Sequence, residues 1–120
     1  MARILIAEDD ASMRHFLTAA LERAGHGVQA CEDGLAALEA LRNGEPWDLL
    51  LADIVMPGMD GIELARRGAE VDPGMKIVFI TGFAAVALSQ QSQTPKNAKV
   101  LSKPFHLKDL VAEVERVMAA

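Results

Sequence analysis

The alternation of apolar and polar positions divides the chain into short apolar runs, each followed by an amphipathic stretch. Ile4-Leu5-Ile6-Ala7 is unbroken and apolar, the pattern of a strand covered on both faces. Met13, Phe16, Leu17, Ala20, Leu21 and Ala24 then return at helical spacing until Gly25 and Gly27 stop the helix. Val28-Gln29-Ala30-Cys31 alternates and predicts a second, less buried strand. Asp33 stands where it caps a helix striped by Leu35, Leu38 and Leu41 and ending near Asn43-Gly44. Leu49-Leu50-Leu51-Ala52 predicts another buried strand, followed by Asp53 and the turn pair Pro57-Gly58.

The second half repeats the rhythm. A helix is expected from about Gly61 to Val71, with Gly68 inside it costing about 1 kcal/mol relative to Ala. Asp72-Pro73-Gly74 closes it, and Lys76-Ile77-Val78-Phe79-Ile80 reads as the fourth strand. A helix from Ala84 to about Gln91 runs into the polar tract Ser89 to Pro95, and Lys99-Val100-Leu101-Ser102 is the fifth strand. Leu107, Leu110, Val111, Val114 and Met118 mark the last helix at spacings of three and four. Five βα units predict an α/β fold, a doubly wound five-stranded parallel sheet between five helices. Ligands in such sheets bind beyond the carboxyl ends of the strands.

Composition narrows the function more than the fold. With 120 residues, 51% hydrophobic and 24% charged, the chain is expected to form one domain, 1–120, with no output domain. A formal charge of −5, no Lys/Arg stripe and 4% aromatic residues argue against direct nucleic-acid binding. The single Cys31 excludes an internal disulfide and suits a reducing compartment. No signal peptide and no run of transmembrane length is present, so a cytoplasmic location without membrane insertion is expected.

The strand ends share one chemistry. Glu8, Asp9 and Asp10 follow the first strand, Asp53 the third, Thr81 the fourth and Ser102-Lys103-Pro104 the fifth. Clustered carboxylates repel unless cations neutralise them. An oxygen-rich site of few carboxylates suits Mg²⁺, whereas His15, His26, His106 and Cys31 show no zinc-ligand spacing. A carboxylate can act as a nucleophile and form an acyl phosphate, with a lysine and a hydroxyl contacting the transferred oxygens. Asp53, at the end of the central strand, is the candidate nucleophile, with Thr81 and Lys103 at the rim. Each residue alone has an ordinary alternative: Asp10 as a helix cap, Asp53 as a turn residue, Lys103 as a surface charge.

The set Glu8-Asp9, Asp53-Ile54-Val55-Met56-Pro57-Gly58-Met59-Asp60-Gly61, Thr81-Gly82 and Lys103-Pro104-Phe105 resembles the CheY-like receiver domain of bacterial response regulators. The resemblance implies a flavodoxin-like strand order of 2-1-3-4-5 and phosphorylation of Asp53 by a histidine kinase or histidine phosphotransferase, as part of two-component signalling. It further implies that Asp9 binds Mg²⁺ directly and Glu8 through water, with the Val55 carbonyl completing the protein ligands beside Asp53. Thr81 would follow the phosphoryl group and Lys103 would pair with it. Many receivers place an aromatic switch three residues before the lysine; here that position is Val100, and Phe83 offers an aromatic nearer the phosphoryl site.

Asp60-Gly-Ile-Glu-Leu-Ala-Arg-Arg and Phe79-Ile-Thr-Gly-Phe-Ala-Ala-Val-Ala-Leu, among other stretches, resemble stand-alone receivers that serve as phosphorylation-controlled adaptors for the ClpXP protease. That resemblance implies ClpX and degraded cell-cycle regulators as partners, with the unphosphorylated form active. It also makes Ala119 and Ala120 candidates for a degradation tail read by ClpX. Two other classes stay open: a phosphorelay intermediate or phosphate sink, and an aspartyl-phosphate phosphatase. The phosphatase would want a second acid two residues after Asp53, where Val55 stands.

Overall fold

Successive residues of a strand point to opposite faces, so an unbroken apolar strand must feed two cores. The computed structural model describes residues 2–81, 99–102 and 106–119, and within it the central strands do this. Strands β1 (Arg3–Ala7), β2 (Gly27–Cys31), β3 (Leu49–Asp53), β4 (Lys76–Thr81) and β5 (Lys99–Ser102) form one parallel sheet in the order β2-β1-β3-β4-β5. This is the predicted fold class and strand order.

Leu5, Leu50, Ile77 and Phe79 pack on one face beneath α2 (Gly34–Arg42) and α3 (Gly61–Val71). Ile4, Ile6, Leu49, Leu51, Val78 and Ile80 pack on the other beneath α1 (Ala11–Arg23) and α4 (Leu107–Ala119). Removing a fully buried Leu from either core would cost about 2–5 kcal/mol. Strand β2, at the edge, is less buried than the central strands, as predicted, but it exposes the adjacent residues Gln29 and Ala30 rather than alternating, because an edge strand is covered on fewer sides. The helix expected from Ala84 to Gln91 lies outside the described residues.

Three apolar residues of the expected stripes do not reach a core: Leu35, Phe16 and Ala24, the last being the exposed C-cap of α1. Leu35 is 62% exposed and Phe16 41%. The buried face of α2 is centred on Gly34, Ala37, Leu38 and Leu41, which leaves Leu35 at its edge in the first turn. In α1 the buried residues are Leu17, Ala20 and Leu21, and Phe16 falls outside that arc.

Three helices begin at aspartates that follow strand ends. Asp10, Asp33 and Asp60 accept hydrogen bonds from the N–H groups of Met13, Ala36 and Glu63 at 3.0, 2.8 and 2.8 Å. Such caps contribute about 1 kcal/mol each and fix where each loop ends. Glu63 strengthens the start of α3 by complementing the helix dipole. Its bond to Arg67, and then that to Arg66, holds the Glu63 carboxyl below the usual range. Gly68 has a packing reason: a β-carbon there would come within 3.1 Å of Leu41 Cδ1 and Met75 Cε.

Candidate functional site

The site is built at the carboxyl edge of the sheet, where the register sets neighbouring strand ends side by side. Ala7 pairs with Ala52, Asp53 with Ile80, and Thr81 with Ser102. The residues that follow Ala7 are Glu8 and Asp9, so topology alone brings them beside Asp53. Carboxylate oxygens of Glu8, Asp9 and Asp53 all lie within 4.8 Å of one another. Glu8 and Asp53 are buried, at 0% and 5% exposure, while Asp9 is exposed. Two buried acids and one exposed acid at this spacing form a hard-oxygen donor set open to solvent on one side. That combination fits a small divalent cation that keeps several waters.

Local hydrogen bonds aim these groups. The Val55 N–H donates to Asp53 Oδ1 at 3.2 Å, and the Asp10 N–H donates to Glu8 Oε2 at 3.1 Å. Behind Asp53 the chain is pinned twice: Ile54 N–H donates to the Ile80 carbonyl at 3.0 Å, and Gly61 N–H to the Ile54 carbonyl at 2.9 Å. Thr81 is fully buried at the end of β4, and Val55 is 47% exposed. Asp10 acts as the α1 cap and does not join the carboxylate cluster. Cys31, at the end of β2, is buried, and burial followed by the charge of Asp33 pushes its thiol above the ordinary range.

Reasoning from sequence missed one residue here. Arg14, early in α1, donates from Nη1 to the Glu8 carbonyl at 2.9 Å and reaches the Asp9 carbonyl at 3.5 Å. The available signal was a cation near the positive end of a helix, against the usual dipole preference. Lys103 and Phe83 lie outside the described residues, as does Ala120. Ala119 is the last residue of α4 and is exposed. Val100, at the position of the usual aromatic switch, lies on β5 and is 41% exposed. No helix among the described residues is long and apolar enough to cross a membrane.

The response regulator receiver domain matches residues 4–115, and the chain belongs to that family. Its fold follows that of a response regulator receiver protein from Sinorhizobium medicae WSM419, with a TM-score of 0.92 and 34% identity, covering 99% of this chain and 95% of that one. Within the family it is similar to the response regulator receiver protein CpdR of Brucella abortus (strain 2308), at 62% identity over 100% of this chain and 99% of the relative. The sensor kinase CckA of the same organism is 32% identical over 98% of this chain, which there spans only 12% of the kinase. The chain is therefore a CpdR-like receiver with an acidic pocket of the kind that binds Mg²⁺ in receivers.

Proposed function

We propose that this receiver is phosphorylated on Asp53 by a histidine phosphodonor, and that its phosphorylation state controls an adaptor role toward the ClpXP protease. The observation that carries the first part is the convergence of Glu8 and Asp9 on Asp53 within 4.8 Å at the end of the central strand. An Asp53 carboxylate oxygen attacks the phosphorus of a phosphohistidine; the O–P bond forms, the P–N bond breaks and the imidazole leaves with a proton. Glu8, Asp9, Asp53 and the Val55 carbonyl would hold Mg²⁺, which supplies neutralisation of the phosphoryl oxygens' charge. Thr81 and Lys103 serve as the hydroxyl and ammonium partners of the transferred group, and Phe83 reports its arrival.

The adaptor role rests on the 62% identity to CpdR along nearly the whole of both chains. A pulldown with ClpX tests this reading on wild-type protein, its phosphorylated form and Asp53→Ala. Strong capture of Asp53→Ala and weak capture of the phosphorylated protein are expected. Absence of capture for every form rejects the adaptor and leaves a phosphorelay intermediate. A degradation signal at Ala119-Ala120 is tested by replacing both with Asp; an unaltered half-life in cells with active ClpXP rejects it.

A further inference from the structure

Three carboxylates in three consecutive residues, Glu8, Asp9 and Asp10, make a loop whose charges push it open. Two of them must nevertheless converge on Asp53. The Asp10 N–H holds the Glu8 side chain, and Asp10 Oδ1 in turn accepts from Met13 in the first turn of α1. The loop backbone is held from one residue further along. Arg14 Nη1 spans the carbonyls of Glu8 and Asp9 at 2.9 and 3.5 Å, while its own N–H donates to the Asp10 carbonyl at 2.8 Å.

This position works against the helix that carries it. A cation near a helix N-terminus is disfavoured by the helix dipole, and α1 has only its cap Asp10, with no acid in the first turn, to offset it. Helix α3, built on the same kind of aspartate cap, places Glu63 in its first turn instead. A local rule broken beside a site is a signature of function. Two effects of Arg14 on a bound cation oppose each other. Its charge repels the cation, whereas its grip on two successive carbonyls fixes the residues that supply two of the three carboxylates. The guanidinium is engaged with backbone oxygens at hydrogen-bond distance, which is the geometry the grip requires.

We propose that Arg14 is a positioning residue that clamps the Glu8–Asp9 backbone and so preorganises the metal-binding half of the site. The proposal rests on the reading above, that the cluster holds Mg²⁺. Calorimetric titration of Mg²⁺ into the full-length wild type, R14M and R14K tests it, together with amide hydrogen exchange of the metal-free proteins. For R14M the Mg²⁺ dissociation constant should rise about tenfold, the effect typical of removing a partner of a metal ligand. The Asp10 amide should exchange faster without metal, and R14K, which keeps one donor and the charge, should recover part of both losses. Phosphorylation by acetyl phosphate should fall at limiting Mg²⁺ and approach the wild-type rate at saturating Mg²⁺. R14M binding Mg²⁺ as tightly as wild type, or more tightly, overturns the clamp and leaves charge repulsion as the dominant effect. Should R14M fail to fold, R14A, which also removes every donor, takes its place: wild-type affinity and wild-type Asp10 exchange together reject the clamp. Wild-type protein that takes up no Mg²⁺ removes the reading of the site as well, which separates the two failures.

Discussion

The backbone carbonyl of Asp53 occupies the space that any side chain at Gly61 would need: an ideal β-carbon there would lie 2.2 Å from that oxygen and 2.9 Å from its carbon. The first residue of α3 thus packs directly against the backbone of the candidate phosphoacceptor. The obstructing atoms are main chain and cannot rotate aside, so overpacking must move either α3 or Asp53. Gly61→Ala should lower stability by about 1–3 kcal/mol despite the better helix propensity of Ala. It should also slow phosphorylation by acetyl phosphate, because Asp53 carries one of the converging carboxylates. Urea unfolding and a phosphorylation time course check both effects, and wild-type values in each would show that the contact positions nothing.

The carboxylate cluster predicts opposite changes in stability and in metal affinity for one substitution. Like charges within 4.8 Å of one another repel by at least about 3.5 kcal/mol at an effective dielectric of about 20. Asp9 is exposed, so solvent screening reduces what its removal releases to about 1 kcal/mol. Asp9→Asn should therefore raise the melting temperature of the metal-free protein by about 4 °C. The same change removes a proposed ligand and should weaken Mg²⁺ binding at least about tenfold. Differential scanning calorimetry with and without Mg²⁺ checks the crossing: the variant should be the more stable protein without metal and lose that advantage with it.

Much of this site was legible because strand ends are legible. Leu49-Leu50-Leu51-Ala52 could only be a buried strand, and Asp53 had to follow it at the ligand-binding edge. Asp10 and Asp33 announced their caps in the same way. What stayed hidden depended on contacts between elements. Leu35 fits a leucine stripe by spacing, yet the buried face of α2 turns about Gly34 and Ala37, small residues whose packing spacing cannot reveal. Gly68 looked only like a helix defect until Leu41 and Met75 were seen to crowd it. Arg14 was missed because its partners are backbone carbonyls, and no side-chain pattern records those.

Cys31 provides a pH prediction whose sign follows from its burial. Its thiol is raised in the folded protein, chiefly by burial and then by Asp33, so the folded state holds the proton at pH values where the unfolded chain has released it. The stabilisation is present in full below the ordinary thiol range. It is lost as pH rises from the unfolded value toward the raised one. Stability measured by urea unfolding should fall across that alkaline window in wild type, and less steeply in Cys31→Ala. Alkylation by iodoacetamide near neutral pH should be slow in the native protein and fast in denaturant. Rapid native alkylation would show that β2 opens at the site edge.

Asp10 separates capping from metal binding within a run of three acids. Its side chain accepts the Met13 N–H, whereas its own N–H, which survives substitution, holds Glu8 Oε2. Asp10→Ala should therefore cost about 1 kcal/mol through the lost cap. The Glu8 anchor and the three converging carboxylates are left in place. The Mg²⁺ dissociation constant should change by less than about fivefold, the range of an exposed charge acting through solvent. Asp10→Asn, which keeps a capping oxygen, should restore the stability. A large loss of Mg²⁺ affinity in both variants would instead make Asp10 a ligand and redraw the acidic site around all three residues of the loop.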